Sequence, residues 1–345
     1  MAPSKIAVVG CGSMAEAWIK YAVERSKNQG DVEIVALVDI RQEAAEAKAK
    51  AHGLTVPCFT DVDTALRSTG AQVVFDVTIP DSHKAVALTA FSRGCYVFGE
   101  KPMASTLEDA RTMVEAAQRA GVRYSVMQNR RYLSGIRACR QLVKDHLGPV
   151  GMVNVDFYLA PHFGGFRNAM ESPLLLDMAI HTFDMARFLA GADAESVYCL
   201  ESNPSWSWYQ GAASATCVFQ MTNGAVFTYR GSWAAEGAPT SWEGDWRIVG
   251  AQGTALWKGG SPTAEVVVPL DVGTAMPFHR KTEPREPANS WKGREGHEGC
   301  LDEMFAALAE GRPAETDAAD NLKSMQMVFG AVESSRAGRV VSLQS

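Results

Sequence analysis

Between Leu174 and Gly191 an apolar run is interrupted by Asp177, His181 and Asp184. On an α-helix these positions fall at i, i+4 and i+7, within a stripe roughly 60° wide at about 100° per residue. An imidazole with a reference pKa of about 6.5 both takes and returns a proton near neutrality. A carboxylate one turn earlier would contact a substrate or stabilise the imidazolium. Asp184 reads as a supporting residue that orients His181 or pairs with Arg187 three residues on. The plain alternative is a partly buried histidine satisfied by a structural aspartate. A metal would also suit the trio, but no cysteine or second histidine lies near it, and none is expected.

Two further stretches carry chemistry. "VVGCGSMA" sets Gly10, Gly12 and Ala15 in the G-x-G-x-x-G/A pattern, after one strand and at the start of a helix. In a tight turn the first glycine bends the chain, the second lets a pyrophosphate approach the backbone, and the small third residue packs helix on strand. The helix N-terminus then faces the phosphates. Gly10, Cys11, Gly12, Ser13 and Met14 are therefore expected to bind a dinucleotide. Asp39, ending the second strand, is placed to accept the adenosine ribose hydroxyls, with Ile40 and Arg41 beside it. Its carboxylate favours NAD; Arg41 leaves a 2′-phosphate open. Asp39 could instead cap the following helix. In "VFGEKPMA", Glu100, Lys101 and Pro102 end another strand, where ligands of open α/β sheets bind. A lysine there can orient a substrate hydroxyl and stabilise developing negative charge, although most lysines are simply solvated.

The elements that must position these residues follow from patterning. Near-continuous apolar strands ("KIAVVG", "VEIVALVD", "QVVFDVTIP", "CYVFGEKP", "VRYSVM") alternate with helical stretches up to about Asn129, the signature of a doubly wound parallel sheet. Thr78, Ile79, Pro80 and His83 follow one of these strands and are expected on the nicotinamide side. His83 could equally be a first-turn helix residue. Gln128, Asn129 and Arg131 fall at the domain junction, within reach of cofactor or substrate or in an interdomain network. Beyond it, "GMVNVDFYLA", "ESVYCLESN", "AASATCVFQM", "AVFTYRGSWA", "DWRIVG" and "GTALWKG" predict a large open, mainly antiparallel sheet in an α+β domain. Asn223-Gly224 marks a hairpin. Ser172-Pro173 predicts the N-cap and first position of the Leu174 helix. Residues 277–299 read as a long polar loop, followed by helices over about 298–310 and 318–336. His162 and Arg167, in the loop before the Leu174 helix, are candidate substrate contacts or ordinary solvated residues. Most of the 8 tryptophans lie in the second half. Trp206 and Trp208, alternating as on a strand, suggest an interface.

Composition bounds the function. The chain has 345 residues, 46% hydrophobic and 21% charged, with net charge -6. That suits two globular domains and argues against nucleic acid or an anionic membrane as partner. The 7 cysteines form no C-x-x-C pair, which suggests free thiols in a reducing cytoplasm. The N-terminus runs straight into a strand, and no apolar run approaches the ~20 residues of a membrane span.

Taken together, "VVGCGSMA", "EKP", "DMAIHTFD" and the C-terminal "ADNLKSMQMVFGAVESSRAGRVVSL" resemble, in the same order, the Gfo/Idh/MocA family, which includes glucose–fructose oxidoreductase and inositol dehydrogenases. The resemblance covers nearly the whole chain. It implies a Rossmann domain over residues 1–128, with the last helix packing back on it. Residues 129–317 would form a domain for substrate binding and oligomerisation, making a homodimer or homotetramer through the exposed sheet face. The family's lysine corresponds to Lys101, usually followed by a cis proline, here Pro102. Its D-x-x-x-H pair corresponds to Asp177 and His181, with Ala179 where glycine is frequent. The implied reaction is NAD-dependent oxidation, or the reverse reduction, of a secondary hydroxyl on a sugar or cyclic polyol. Two other outcomes occur among such proteins: redox-assisted glycoside cleavage without net NADH, and a non-catalytic nucleotide-binding sensor.

Overall fold

The computed structural model describes residues 3–272, 274–287 and 291–343. Two compact units emerge, Met1–Asn129 with Arg294–Met325, and Arg130–Gly293 with Gln326–Ser345.

In the first unit the chain runs β1 (Ser4–Val9), α1 (Ala15–Gln29), β2 (Val32–Val38), α2 (Gln42–Ala51), β3 (Cys58–Phe59) and α3 (Val62–Thr69). It continues through β4 (Val73–Asp76), α4 (Pro80–Ser92), β5 (Tyr96–Gly99), α5 (Leu107–Ala120) and β6 (Tyr124–Val126). The six strands lie in the order β3-β2-β1-β4-β5-β6, with every pair parallel. Strand β4 is buried at every residue, as expected for strands covered on both faces. Local chemistry sets the helix ends. Asp61 accepts from Thr64 N at 2.8 Å and Thr106 from Asp109 N at 3.1 Å, each capping a helix start. The two-residue β3 has no pattern that a sequence reading could register.

The second unit opens with a 3₁₀ turn that begins at Asn129 and with α6 (Ser134–His146). Next come β7 (Val150–Tyr158), a short α7 (Phe166–Ala169), a π-helical turn (Leu174–Ala179) and α8 (Ile180–Ala190). Strands β8 (Ala194–Ser202), β9 (Ser214–Met221), β10 (Val226–Ser232), β11 (Asp245–Gly250), β12 (Gly253–Trp257), β13 (Thr263–Val267) and β14 (Thr282–Arg285) follow. Helix α9 (Gly296–Glu310) belongs to the first unit; α10 (Ala318–Ala337) leads to β15 (Val341–Ser342). The nine strands lie in the order β14-β13-β12-β11-β7-β10-β9-β8-β15. All neighbours are antiparallel except the central β7–β10 pair, which is parallel. One face packs on α8, where Phe183 meets Phe219, Phe227 and Tyr229 edge-on. On the other face the register aligns Tyr198, Val218, Thr228, Asn154, Arg247 and Leu256 across six strands. Tyr198, Val218 and Leu256 are exposed apolar residues there.

Several expectations need correction. The stretch 277–299 is not one loop, since it holds β14 and the first turn of α9. Strand β14 reads TEPR, polar and proline-bearing, which suits an edge strand and gives no apolar alternation. Residues 288–290 of that stretch lie outside the described residues. Ser172 is not a cap; its hydroxyl donates to Glu201 Oε2 at 3.2 Å. The segment around Trp206 and Trp208 is not a strand, so strand alternation does not apply to it. The Asn223-Gly224 hairpin forms as expected, with Gly224 at φ 82°. All seven cysteines carry free thiols. Among the described residues no helix is long and apolar enough to cross a membrane.

Candidate active site

The glycine turn between β1 and α1 is shaped for close approach. Gly10 has φ +92°, and a Cβ there would stand 2.6 Å from the Val77 carbonyl oxygen, so only glycine fits. A Cβ on Gly12 would meet nothing within 4 Å, leaving that side open. Ser13 and Met14 are exposed, whereas the Cys11 side chain is buried, so Cys11 offers only its backbone. Burial, followed by the charge of Asp39, pushes the Cys11 thiol up to about 12, which keeps it protonated.

Asp39 ends β2 and stands over the same turn. Its Oδ2 accepts from Cys11 N at 2.8 Å and its Oδ1 from Arg41 N at 2.9 Å. The Arg41 side chain is exposed, with Nε 4.0 Å from Asp39. A groove of about 300 Å³ runs here, lined by Gly10, Gly12, Asp39, Ile40, Thr78 and Ile79 among others. Ile40 is 90% exposed and Ile79 64%. Apolar side chains this bare beside an acidic hydrogen-bond acceptor, a backbone without side chains and a helix N-terminus match the parts of a dinucleotide: base, ribose and pyrophosphate. These residues fit NAD.

Thr78 is held by Asp76, whose Oδ1 accepts from Thr78 N at 3.2 Å and Oγ1 at 2.6 Å. Pro80 opens α4. His83 does not reach the groove. It is 1% exposed, with Nδ1 2.9 Å from Asp76 Oδ2. It therefore supports the β4 turn from beneath and is not a cofactor-lining residue. Gln128, after β6, is also 1% exposed, and neither of its amide atoms has a partner among the described residues. Its amide therefore keeps unused hydrogen-bonding capacity just beyond β6.

Lys101 follows β5, at the carboxyl edge of the same sheet, and its bond to Pro102 is cis, as the resemblance implied. Its backbone N–H donates to Glu100 Oε2 at 3.1 Å. Glu100 is 6% exposed and takes the Trp18 indole N–H on Oε1 at 2.8 Å. Burial alone would raise this carboxyl, but His297, the indole N–H and the charge of Lys101 outweigh it and hold Glu100 below the usual glutamate range. Neither Trp18 nor His297 was visible in the sequence as part of a site.

In the second unit, Asp177 lies in the π turn and His181 in the first turn of α8. A π turn closes i→i+5 hydrogen bonds, so the angle computed for a regular α-helix does not carry across 177–181. Asp177 accepts from Arg167 Nε at 2.6 Å. The Arg167 guanidinium lies 5.0 Å from the ring centre of Phe163 and 4.7 Å from that of Phe166. His181 is 7% exposed. Asp184 faces another partner, a two-point ion pair with Arg131 at 2.6 and 2.7 Å, with Arg187 Nη1 at 3.7 Å. Arg131 is thus a buried structural residue of this unit and not a substrate contact. His162 is exposed, stacks on Trp208 at 3.7 Å and meets Glu236 at 3.0 Å. Asn129 donates toward His297 Nδ1 at 3.2 Å. Among the described residues no cluster could hold a metal ion.

Comparison with known proteins identifies the family. Residues 4–128 match an oxidoreductase family's NAD-binding Rossmann fold, and residues 140–343 match its C-terminal alpha/beta domain. The chain is 30% identical to the uncharacterized protein y4oX of Sinorhizobium fredii, over 99% of this chain and 96% of that protein. It is 27% identical to D-apiose dehydrogenase of Paraburkholderia graminis, over 99% and 90%. The structure superposes with a TM-score of 0.83 on an oxidoreductase from Agrobacterium radiobacter solved with NAD+, L-tartaric acid and magnesium; identity is 24% and coverage 98% of each chain. The chain belongs to the Gfo/Idh/MocA family, NAD-dependent oxidoreductases that act on the CH–OH groups of sugars and polyols.

Proposed function

We propose that this enzyme interconverts a secondary hydroxyl of a sugar or cyclic polyol and the corresponding ketone, with Lys101, Asp177 and His181 as its catalytic residues. NAD, when bound, supplies the hydride acceptor. His181 takes the hydroxyl proton on an imidazole nitrogen and returns it in the reverse reaction. Lys101 donates a hydrogen bond to the same oxygen and stabilises its developing negative charge. Asp177, fixed by Arg167, orients the substrate or stabilises the imidazolium. Glu100 and Gln128 help form the cofactor site, and Asn129, His162 and Arg167 contact substrate. The observation that carries this reading is Lys101 at the carboxyl end of β5, in the same sheet as the β1–α1 groove, its amide tied to a buried ionised glutamate. The bare face of the nine-stranded sheet is proposed as the contact between copies of the chain.

The test follows NADH absorbance over inositols, aldoses and glycosides, with NAD and NADP in parallel. We expect turnover with a polyol or sugar and NAD, and a loss of about 10²-fold or more in kcat for Lys101→Met and for His181→Asn. Full activity in either variant would refute the role assigned to that residue. Glycoside hydrolysis without NADH release would replace the reaction with a closed redox cycle.

A further inference from the structure

Glu100 poses a physical problem that the proposed chemistry leaves unanswered. A buried carboxylate is costly unless hydrogen bonds and charge compensate it. Two neutral donors reach it, the Trp18 indole on Oε1 and the Lys101 amide on Oε2. The remaining contact comes from α9, where His297 Nε2 stands 3.7 Å from Oε1, within ion-pair range though longer than a hydrogen bond. The other ring nitrogen of His297 lies 3.2 Å from Asn129 Nδ2. An amide N–H donating there makes Nδ1 the acceptor and leaves the ring proton on Nε2, directed toward Glu100. The His297 side chain is 32% exposed, so one edge of the ring meets solvent while the other faces the carboxylate.

We propose that His297 is a positioning residue for Lys101: with its tautomer set by Asn129, it secures the Glu100 carboxylate, which in turn fixes the peptide that presents the lysine. The proposal rests on the reading of Lys101 as a substrate contact. Its elements all belong to the first unit. The carboxylate faces His297 from α9, Lys101 from its own loop and the neutral indole of Trp18 from α1. Losing His297 removes the Nε2–H that faces Oε1 and leaves burial to push Glu100 toward its neutral form. A protonated Glu100 would hold the Lys101 amide less firmly, because hydrogen bonds to a charged acceptor are about twice as strong as neutral ones.

The experiment follows the Trp18 indole N–H resonance of the full-length protein against pH, assigned with Trp18→Phe, alongside steady-state kinetics. In the wild type the resonance should hold its place through the ordinary glutamate range near about pH 4.3. In His297→Ala its titration should move up by about one pH unit or more. His297→Gln, whose amide nitrogen reaches the Nε2 position, should restore the wild-type curve. The kinetic counterpart is a fall of about tenfold in kcat for His297→Ala with KM for NAD unchanged, recovered in His297→Gln. Identical titration in wild type and His297→Ala overturns the proposal. A shifted titration with unaltered kcat overturns the link to Lys101. Lys101→Met separates the two readings, since full activity in that variant removes the lysine's role and leaves the titration to judge His297 alone. Should His297→Ala fail to fold, His297→Asn replaces it; its shorter amide reaches only the Nδ1 position, and behaviour equal to His297→Gln counts against the proposal.

Discussion

Glu201 is a residue whose environment works against its charge. It is the penultimate residue of β8, accepts from Ser172, and has Oε1 buried without a partner among the described residues. Burial pushes its carboxyl from 4.5 to about 7, and Ser172 and Arg336 only partly offset this. Below pH 4.5 the group is protonated folded or unfolded and contributes no pH dependence. Between 4.5 and 7 the unfolded chain ionises first, so the folded state binds more protons and stability falls as pH rises. Above about 7 both states are ionised and the loss levels off. We expect the melting temperature to decline across this window in the wild type and to decline less in Glu201→Gln. Parallel thermal-melt curves would show that Glu201 is not the source. The window matters because Ser172 opens the segment that carries Asp177 and His181.

At the scale of elements, the Arg131–Asp184 pair joins the 3₁₀ turn at Asn129–Tyr132 to α8. The two side chains are 7% and 2% exposed. Removing one partner of a buried pair strands the other's charge, at a cost of about 3–5 kcal/mol. Asp184→Asn should lower stability toward that range in urea unfolding, and the double change Arg131→Met with Asp184→Leu should recover part of it. A loss under about 1 kcal/mol would mean that the pair contributes no more than an exposed one does. How much of these elements the sequence discloses depends on whether the cause is local. The Gly10 turn, the Asn223-Gly224 hairpin and the apolar strands carry their causes in adjacent residues, and all could be read there. The π turn cannot be read, because Leu174–Ala179 shows the same apolar run a regular helix would. Strand β14 and the pairing of β15 depend on partners distant in sequence, and His297 is meaningful only beside Glu100. His83 and Arg131 were polar residues near the right strand ends, but burial, which the sequence does not print, turned both inward.

For the whole molecule, the exposed row Tyr198, Val218 and Leu256 is the most informative surface. These three apolar side chains share the face with Thr228, Asn154 and Arg247, a mixture of apolar and polar groups that suits a subunit contact. We expect wild-type protein to run as an oligomer by light scattering at micromolar concentration. Val218→Asp combined with Leu256→Asp should yield monomers that still bind NAD, because the nucleotide groove belongs to the other unit. A monomeric wild type, or an unchanged mass in the double variant, would count against this assembly.

Phe305 of α9 packs against Phe75 and Phe98 within the first unit, and Arg25 lies 4.7 Å over its ring. The ribosome delivers this phenylalanine late. After Asn129 has emerged, the whole of Arg130–Gly293 must be made before α9 begins. At about 5–20 residues per second, that interval is roughly ten to thirty seconds. Throughout it the nascent parallel sheet lacks one aromatic wall of its core, so the nucleotide-binding unit, though it begins the chain, cannot close its core until α9 has been made.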